Sequence, residues 1–250
     1  MPAHPDRLAG KRVLVTGGSR NLGRAIAVAC TRAGARVAFT YSMNDDDAAS
    51  AAAAVKEAGG DPLVFKGSVA DAAHVDATVR AVVAAWGGLD VLVNNAGITQ
   101  ILPIALVEEA DWDHVMSVNV KGAYLFARAA LRPMIKARAG HILNIGAFGE
   151  GRVVHSPVHY AASKAALAGF TDALARDVGR YGILVNLVQP GLLATGLGQG
   201  SPQARLEEYL EQNPAQRFGT VEEVADVVVW LVSGANTFMT GVRVPVDGGA

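Results

Sequence analysis

An α/β fold built on a doubly wound parallel sheet is what this sequence predicts, and three observations lead there. Short apolar runs near 12–16, 35–40, 62–66, 89–94, 141–146, 182–188 and 242–246 read as strands. Helical patterns separate them, and a glycine-rich turn joins the first run to the first helix.

The elements follow in order. Val13-Leu14-Val15-Thr16 is an apolar run typical of a buried strand, and Gly17-Gly18-Ser19-Arg20-Asn21-Leu22-Gly23 leads from it into the helical pattern Arg24 to Arg32. A glycine-rich loop by itself fits a phosphate cradle or a plain βα turn, and strand, glycine turn and helix in that order favour the cradle: glycine permits the tight turn, and the helix start offers unpaired N–H groups to a pyrophosphate. After the second strand, Asp45, Asp46 and Asp47 suit the positive end of a helix dipole, and Ala48 to Val55 continues as helix. Helices are also expected over 71–85, 111–137, 158–180 and 221–233. Residues 190–216, rich in Gly, Pro and Gln, form the longest stretch without clear strand character. With 51% apolar residues and no linker or composition shift, 1–250 reads as a single domain.

The chemistry concentrates in Tyr160-Ala161-Ala162-Ser163-Lys164. Residues four apart share a helix face, so phenol and ammonium can point into one space, as can those of an ordinary surface pair. A nearby cation is expected to lower a tyrosine's pKa from about 10 toward working pH, where a general acid is most effective.

Four motifs, in this order and spacing, resemble the short-chain dehydrogenase/reductase family over nearly the whole chain. They are Thr16-Gly17 to Gly23, Asn94-Asn95-Ala96-Gly97, Tyr160 to Lys164, and Pro190-Gly191 with Thr195 beyond; the end, Thr240 to Gly249, also looks like the family's last strand and tail. Within the family the chain is most similar to 3-oxoacyl-carrier-protein reductases and related ketoreductases. The resemblance implies a Rossmann-like fold and a reductase in which Tyr160 protonates a carbonyl oxygen. It implies that Lys164 binds the nicotinamide ribose and lowers the tyrosine pKa. Asn119 would hold a water linking Lys164 to solvent. Asn95, Ala96 and Gly97 would pack beside the cofactor ribose, and Pro190, Gly191, Leu193 and Thr195 would hold the carboxamide. The stretch 190–216 resembles a substrate lid, and a homotetramer is implied through the two long helices and the last strand.

Departures from the family pattern matter. Asn21 replaces the middle glycine of the first motif, at a position expected to adopt a conformation that asparagine tolerates. The family's serine, thirteen residues before the tyrosine, is Ala147. Losing one such donor costs roughly 10²–10³ in rate. Three explanations stay open: a substitution made to trap a complex, a substitute donor, or a cofactor-binding protein with little catalysis. His155, Ser156 and His159 are the nearest candidates for a substitute.

Cofactor choice is read at the end of the second strand, where an acid would bind ribose hydroxyls and repel a 2′-phosphate. Thr40-Tyr41-Ser42 offers none, and Arg20 in the glycine loop can pair with phosphate, so NADP(H) is expected over NAD. Ser68, before Val69, replaces the family's adenine-binding aspartate. Arg132, Lys136 and Arg138 form a basic cluster that fits either a solvated helix end or a dock for an acidic acyl carrier protein.

The balance of 22 basic and 23 acidic residues gives no case for nucleic-acid or membrane binding. A single cysteine, Cys30, excludes an intramolecular disulfide, and no Cys/His/carboxylate cluster suggests a metal. With no signal-like start or long apolar segment, a cytoplasmic protein is expected.

Overall fold

The structure, a computed structural model, describes residues 7–147, 156–196 and 203–250, without the side chain of Arg205. Seven strands form one sheet: β1 (Arg12–Val15), β2 (Arg36–Tyr41), β3 (Leu63–Lys66), β4 (Val91–Asn94), β5 (Gly140–Ile145), β6 (Ile183–Pro190) and β7 (Arg243–Val246). Their spatial order is β3-β2-β1-β4-β5-β6-β7 and every pairing is parallel. The order reverses between β1 and β4, the switch point where ligands enter doubly wound sheets.

Helices cover both faces: α1 (Asn21–Arg32), α2 (Asp45–Glu57), α3 (Ala72–Trp86), α4 (Glu109–Met116), α5 (Gly122–Ala137), α6 (Val158–Val178), α7 (Gln203–Gln212) and α8 (Val221–Leu231). Strand alternation divides the core accordingly. Val13, Val15, Val37, Phe39, Val93, Leu143 and Ile145 pack with α1, α2 and α8, whereas Leu14, Ala38, Leu92, Ile142 and Val185 pack with α3, α5 and α6. Cys30 is fully buried among the first set, and burial pushes its thiol up to about 12.

At the amino end of the sheet, Arg12 donates to Asp90 through Nε and Nη2, both at 2.7 Å, and through its backbone N–H at 2.8 Å. Burial would raise the Asp90 carboxyl, but these bonds hold it below its usual value. The pair fixes β1 against β4 and so aligns the two strands whose opposite ends form the switch point.

Two expectations need correction. The pattern over 111–137 is not one uniform helix: α4 and α5 are joined by a π-helical turn, Ser117–Lys121, with Asn119 buried at its centre. Such turns insert one residue into the helix ladder and re-aim a side chain, and here the side chain bonds outside its own helix, as described below. The stretch 190–216 also contains α7. Of its described side chains only Tyr209 is buried, so no apolar stripe announced that helix.

The glycine turn explains its own sequence. A Cβ on Gly23 would collide with the Gly17 carbonyl, and one on Gly18 with Phe39. Asn21 has φ +45°, in the left-handed region, as expected of the residue standing where the family has glycine. Asn21→Ala is therefore expected to destabilise the chain by about 1 kcal/mol while Asn21→Gly retains or raises stability. Thermal unfolding of the three proteins checks this, and an alanine variant as stable as the parent would refute it.

Candidate active site

The carboxyl ends of β1, β4, β5 and β6 bring the motifs together. Asn95 latches the glycine turn to β4: its Nδ2 donates to the carbonyls of Thr16 (2.9 Å) and Gly17 (3.0 Å). Its backbone N–H and that of Ala96 both donate to Thr16 Oγ1 at 3.0 Å. Asn95 thus shapes the cradle with its own side chain. Arg20, exposed and extended (φ −150°, ψ 168°), caps α1 without a side-chain bond, and no acid occupies the first turn. The N–H groups at this helix start have no side-chain competitor, and Gly17, Gly18 and Gly23 leave the turn free of side chains, so Ser19 to Gly23 fit a pyrophosphate.

At the adenosine end, the acid read as a helix starter reaches further than the sequence indicated. Asp45 does begin α2, but its Oδ1 accepts from the Tyr41 hydroxyl and its Oδ2 from Lys66 Nζ, both at 2.7 Å. Lys66 stands beside Tyr41 through the β2–β3 register, a neighbour that only the pairing could reveal. Ser42 and Ser68 are exposed, and the Ser68 hydroxyl accepts from the Ala70 N–H at 3.2 Å. Val69 is buried against Gly122 at the start of α5, where a Cβ would meet it at 2.7 Å.

Tyr160 and Lys164, the pair expected to be catalytic, lie on α6. Lys164 Nζ sits 5.6 Å from the centre of the Tyr160 ring and donates to the Ile145 carbonyl at 2.8 Å. Burial pushes the Tyr160 phenol up to about 12 and the Lys164 ammonium down to about 8. The expected lowering of the tyrosine is thus reversed in the chain alone, because desolvation outweighs the attraction of a cation held over the ring. At neutral pH the Tyr160 phenol keeps its proton.

Asn119 ties this pair to β4. Its Oδ1 accepts from the Ile98 N–H at 2.8 Å, while its Nδ2 donates to the Ile98 carbonyl at 3.0 Å and to Ser163 Oγ at 2.9 Å. Ser163 Oγ in turn donates to the Tyr160 carbonyl at 2.7 Å. The Asn119 amide is consequently spent on the protein. A Cβ on Gly97 would stand 3.4 Å from Asn119 Oδ1 and 3.5 Å from Lys164 Nζ, so this glycine keeps the approach to both groups open. Below them, Asn94 donates to Asn144 (2.9 Å) and Asn144 to Thr171 (2.8 Å), a buried chain that sequence reasoning missed because each member reads as an ordinary strand or helix polar residue.

Pro190 ends β6 and Gly191 donates to the Val246 carbonyl at 2.9 Å. A Cβ on Gly191 would meet the Tyr209 hydroxyl at 2.7 Å, the group that accepts from the Leu192 N–H at 3.2 Å and from Asn213 Nδ2 at 2.7 Å. Leu193 bridges to Gly219, and Thr195 is exposed beyond it.

Ala147 stands two residues past β5 and presents no donor. Of the candidate substitutes, His155 lies outside the described residues. His159 is fully buried and one helical turn before Ser163, on the buried stripe His159-Ser163-Leu167 next to that of Tyr160 and Lys164. Ser156 is partly exposed just before α6. The basic cluster does not join the site: Lys136 lies fourteen residues along α5 from Gly122, about 21 Å by helical rise, and Arg138 donates to the Arg180 carbonyl at 3.0 Å. Among the described residues no His/Cys/Asp/Glu group could hold a metal, and no helix is long and apolar enough to cross a membrane.

Comparison with known proteins identifies the family. A family profile described as enoyl-(acyl carrier protein) reductase matches residues 17–250. The chain is 35% identical to the 3-oxoacyl-[acyl-carrier-protein] reductase FabG of Staphylococcus aureus over 243 residues, covering 96% of this chain and 97% of the relative. It is 39% identical to FabG of Pseudomonas aeruginosa over 242 residues, covering 97% and 98%. Among solved structures, it is similar to a short-chain dehydrogenase/reductase from Serratia marcescens (TM-score 0.90, 37% identity, 98% of this chain and 99% of the other). A short chain dehydrogenase from Burkholderia cenocepacia in complex with NADP matches with TM-score 0.90, 36% identity and the same coverage. With Tyr160 and Lys164 on one helix and the glycine turn at the switch point of the sheet, the chain belongs to the short-chain dehydrogenase/reductase family, oxidoreductases acting on CH–OH and C=O groups with a nicotinamide cofactor.

Proposed function

We propose that this protein is an NADPH-dependent ketoreductase that reduces a 3-oxoacyl thioester, presented by an acyl carrier protein, to the 3-hydroxyacyl product. The observation that carries the reading is the Tyr160–Lys164 pair beside Gly97, within reach of the uncapped start of α1. The similarity to the FabG relatives supports the substrate class.

Bound NADPH supplies the hydride. Tyr160 gives its proton to the carbonyl oxygen, and the Lys164 ammonium stabilises the phenolate left behind. Asn119, through Ile98 and Ser163, holds α6 and the loop after β4 at a fixed separation. Ser19 to Gly23 would bind the pyrophosphate, and Pro190 to Thr195 the carboxamide. Preference for the 2′-phosphate is supported by Arg20, by Lys66, and by an Asp45 carboxylate whose two oxygens already accept from Tyr41 and Lys66. The Burkholderia neighbour in complex with NADP points the same way. Carrier docking is not assigned to Arg132, Lys136 and Arg138, which lie toward the far end of α5.

Ala147 favours a second reading, an NADP-binding protein of little catalytic power. Self-association as a homotetramer is supported by two exposed apolar sets, Trp112, Tyr124 and Ile135 on α4 and α5, and Trp230, Phe238 and Met239 around α8 and the approach to β7.

NADPH oxidation should be followed with a 3-oxoacyl thioester, and with an enoyl thioester as control. Turnover of the ketone is expected, reduced by at least 10²-fold in Tyr160→Phe and kept or raised in Ala147→Ser. Tight NADPH binding without turnover of any ketone by the parent or by Ala147→Ser would install the second reading. The rate should decline as pH rises through about 8, where Lys164 loses its proton; a rate that climbs steadily to pH 10 would contradict the role given to the ammonium. Solution mass checks the assembly, and a monomer would rule it out.

A further inference from the structure

We propose that Thr99 supplies the hydroxyl that Ala147 lacks, donating a hydrogen bond to the substrate carbonyl oxygen while Tyr160 protonates it; this rests on the ketoreductase reading above. The hydroxyls around the site are the place to look for such a donor. Thr16 Oγ1 accepts from Asn95 and Ala96, and Ser163 Oγ is held between Asn119 and the Tyr160 carbonyl. Thr99 Oγ1 differs: it is buried and has no hydrogen-bond partner among the described residues. Buried hydroxyls nearly always have a partner, so one without is a group awaiting one.

Its place in the chain sets it two residues beyond the glycine that faces Lys164. Gly97 stands against Lys164 Nζ, and Thr99 follows two residues later, at most about 7.6 Å away by Cα spacing. Between them Ile98 is gripped at both its N–H and its carbonyl by Asn119, which is bonded to the α6 turn that carries Tyr160. Thr99 thus leaves a fixed point beside Tyr160 and Lys164 on the loop from β4, whereas Ala147 approaches from β5. A donor on the first can serve the carbonyl in place of one on the second. His159, the other buried side chain here, has no partner on either ring nitrogen and lies on the buried stripe of α6 with Ser163 and Leu167. Ser156 is partly exposed and can bond to water. No bond is made or broken at Thr99. Its hydroxyl polarises the C=O as charge develops on oxygen, and the proton transferred comes from Tyr160.

The test measures NADPH oxidation with acetoacetyl-coenzyme A for the parent, Thr99→Val, Thr99→Ser, Ser156→Ala, Ala147→Ser and the double variant Ala147→Ser/Thr99→Val. Thr99→Val keeps the shape and removes the hydroxyl. It should lower kcat by about 10²–10³ with NADPH affinity and melting temperature unchanged. Thr99→Ser should keep most of the rate, and the double variant should recover it, because a serine at 147 restores the donor from the other strand. Recovery separates a lost donor from a damaged loop. The proposal falls if Thr99→Val stays within threefold of the parent, if Ser156→Ala suffers the loss instead, or if the double variant stays as slow as Thr99→Val. Turnover by Ala147→Ser with none by the parent would keep the ketoreductase reading and reject Thr99. Absence of turnover in both would reject the two together.

Discussion

The grip of Asn119 on Ile98 is the interaction on which the site depends. Three segments distant in sequence meet there: the loop after β4, the π turn between α4 and α5, and α6. Each is fixed in its own right by the sheet or by helix packing, but their relative placement at the reaction centre rests on one amide whose two ends are both satisfied by backbone and by Ser163. A buried amide left half-bonded would be penalised by its lost hydration, so the arrangement tolerates little drift. The π turn is the deformation that aims this side chain, which is why an otherwise continuous helix is interrupted at that point.

The same enclosure sets the electrostatics. Desolvation acts on Tyr160 and Lys164 in opposite directions, keeping the phenol protonated and loosening the proton of the ammonium. In the role proposed for it, such a pair would hold an acid ready without premature ionisation, with the ammonium 5.6 Å from the ring centre.

Much of this was legible in the sequence because parallel strands concentrate their chemistry at one end. The seven strand runs, the glycine turn and the Tyr160–Lys164 spacing all lie where the reading put them, and Asn21 adopts the left-handed backbone expected of a residue in a glycine's place. What sequence reasoning missed shares a physical cause: it depends on neighbours far apart in the chain. The bond between Lys66 and Asp45 needs the β2–β3 register, and the chain Asn94–Asn144–Thr171 needs three elements at once. Helix α7 was missed for a different reason, since a helix that buries Tyr209 alone among its described side chains leaves no period to detect. The expected direction of the tyrosine shift failed because spacing reports proximity and says nothing of burial.

The tie between Tyr41, Asp45 and Lys66 bears on how this protein could change over evolutionary time. Selection for one nicotinamide cofactor over another is usually told as the presence or absence of an acid at the end of the second strand. Here an acid stands close by, already claimed by two neighbours. On the function proposed above, cofactor preference becomes a contest for one carboxylate, and replacing Lys66 on the adjoining strand would free one of its oxygens while Tyr41 keeps the other. On that proposal, two specificities that look remote in sequence would be separated by a short mutational step.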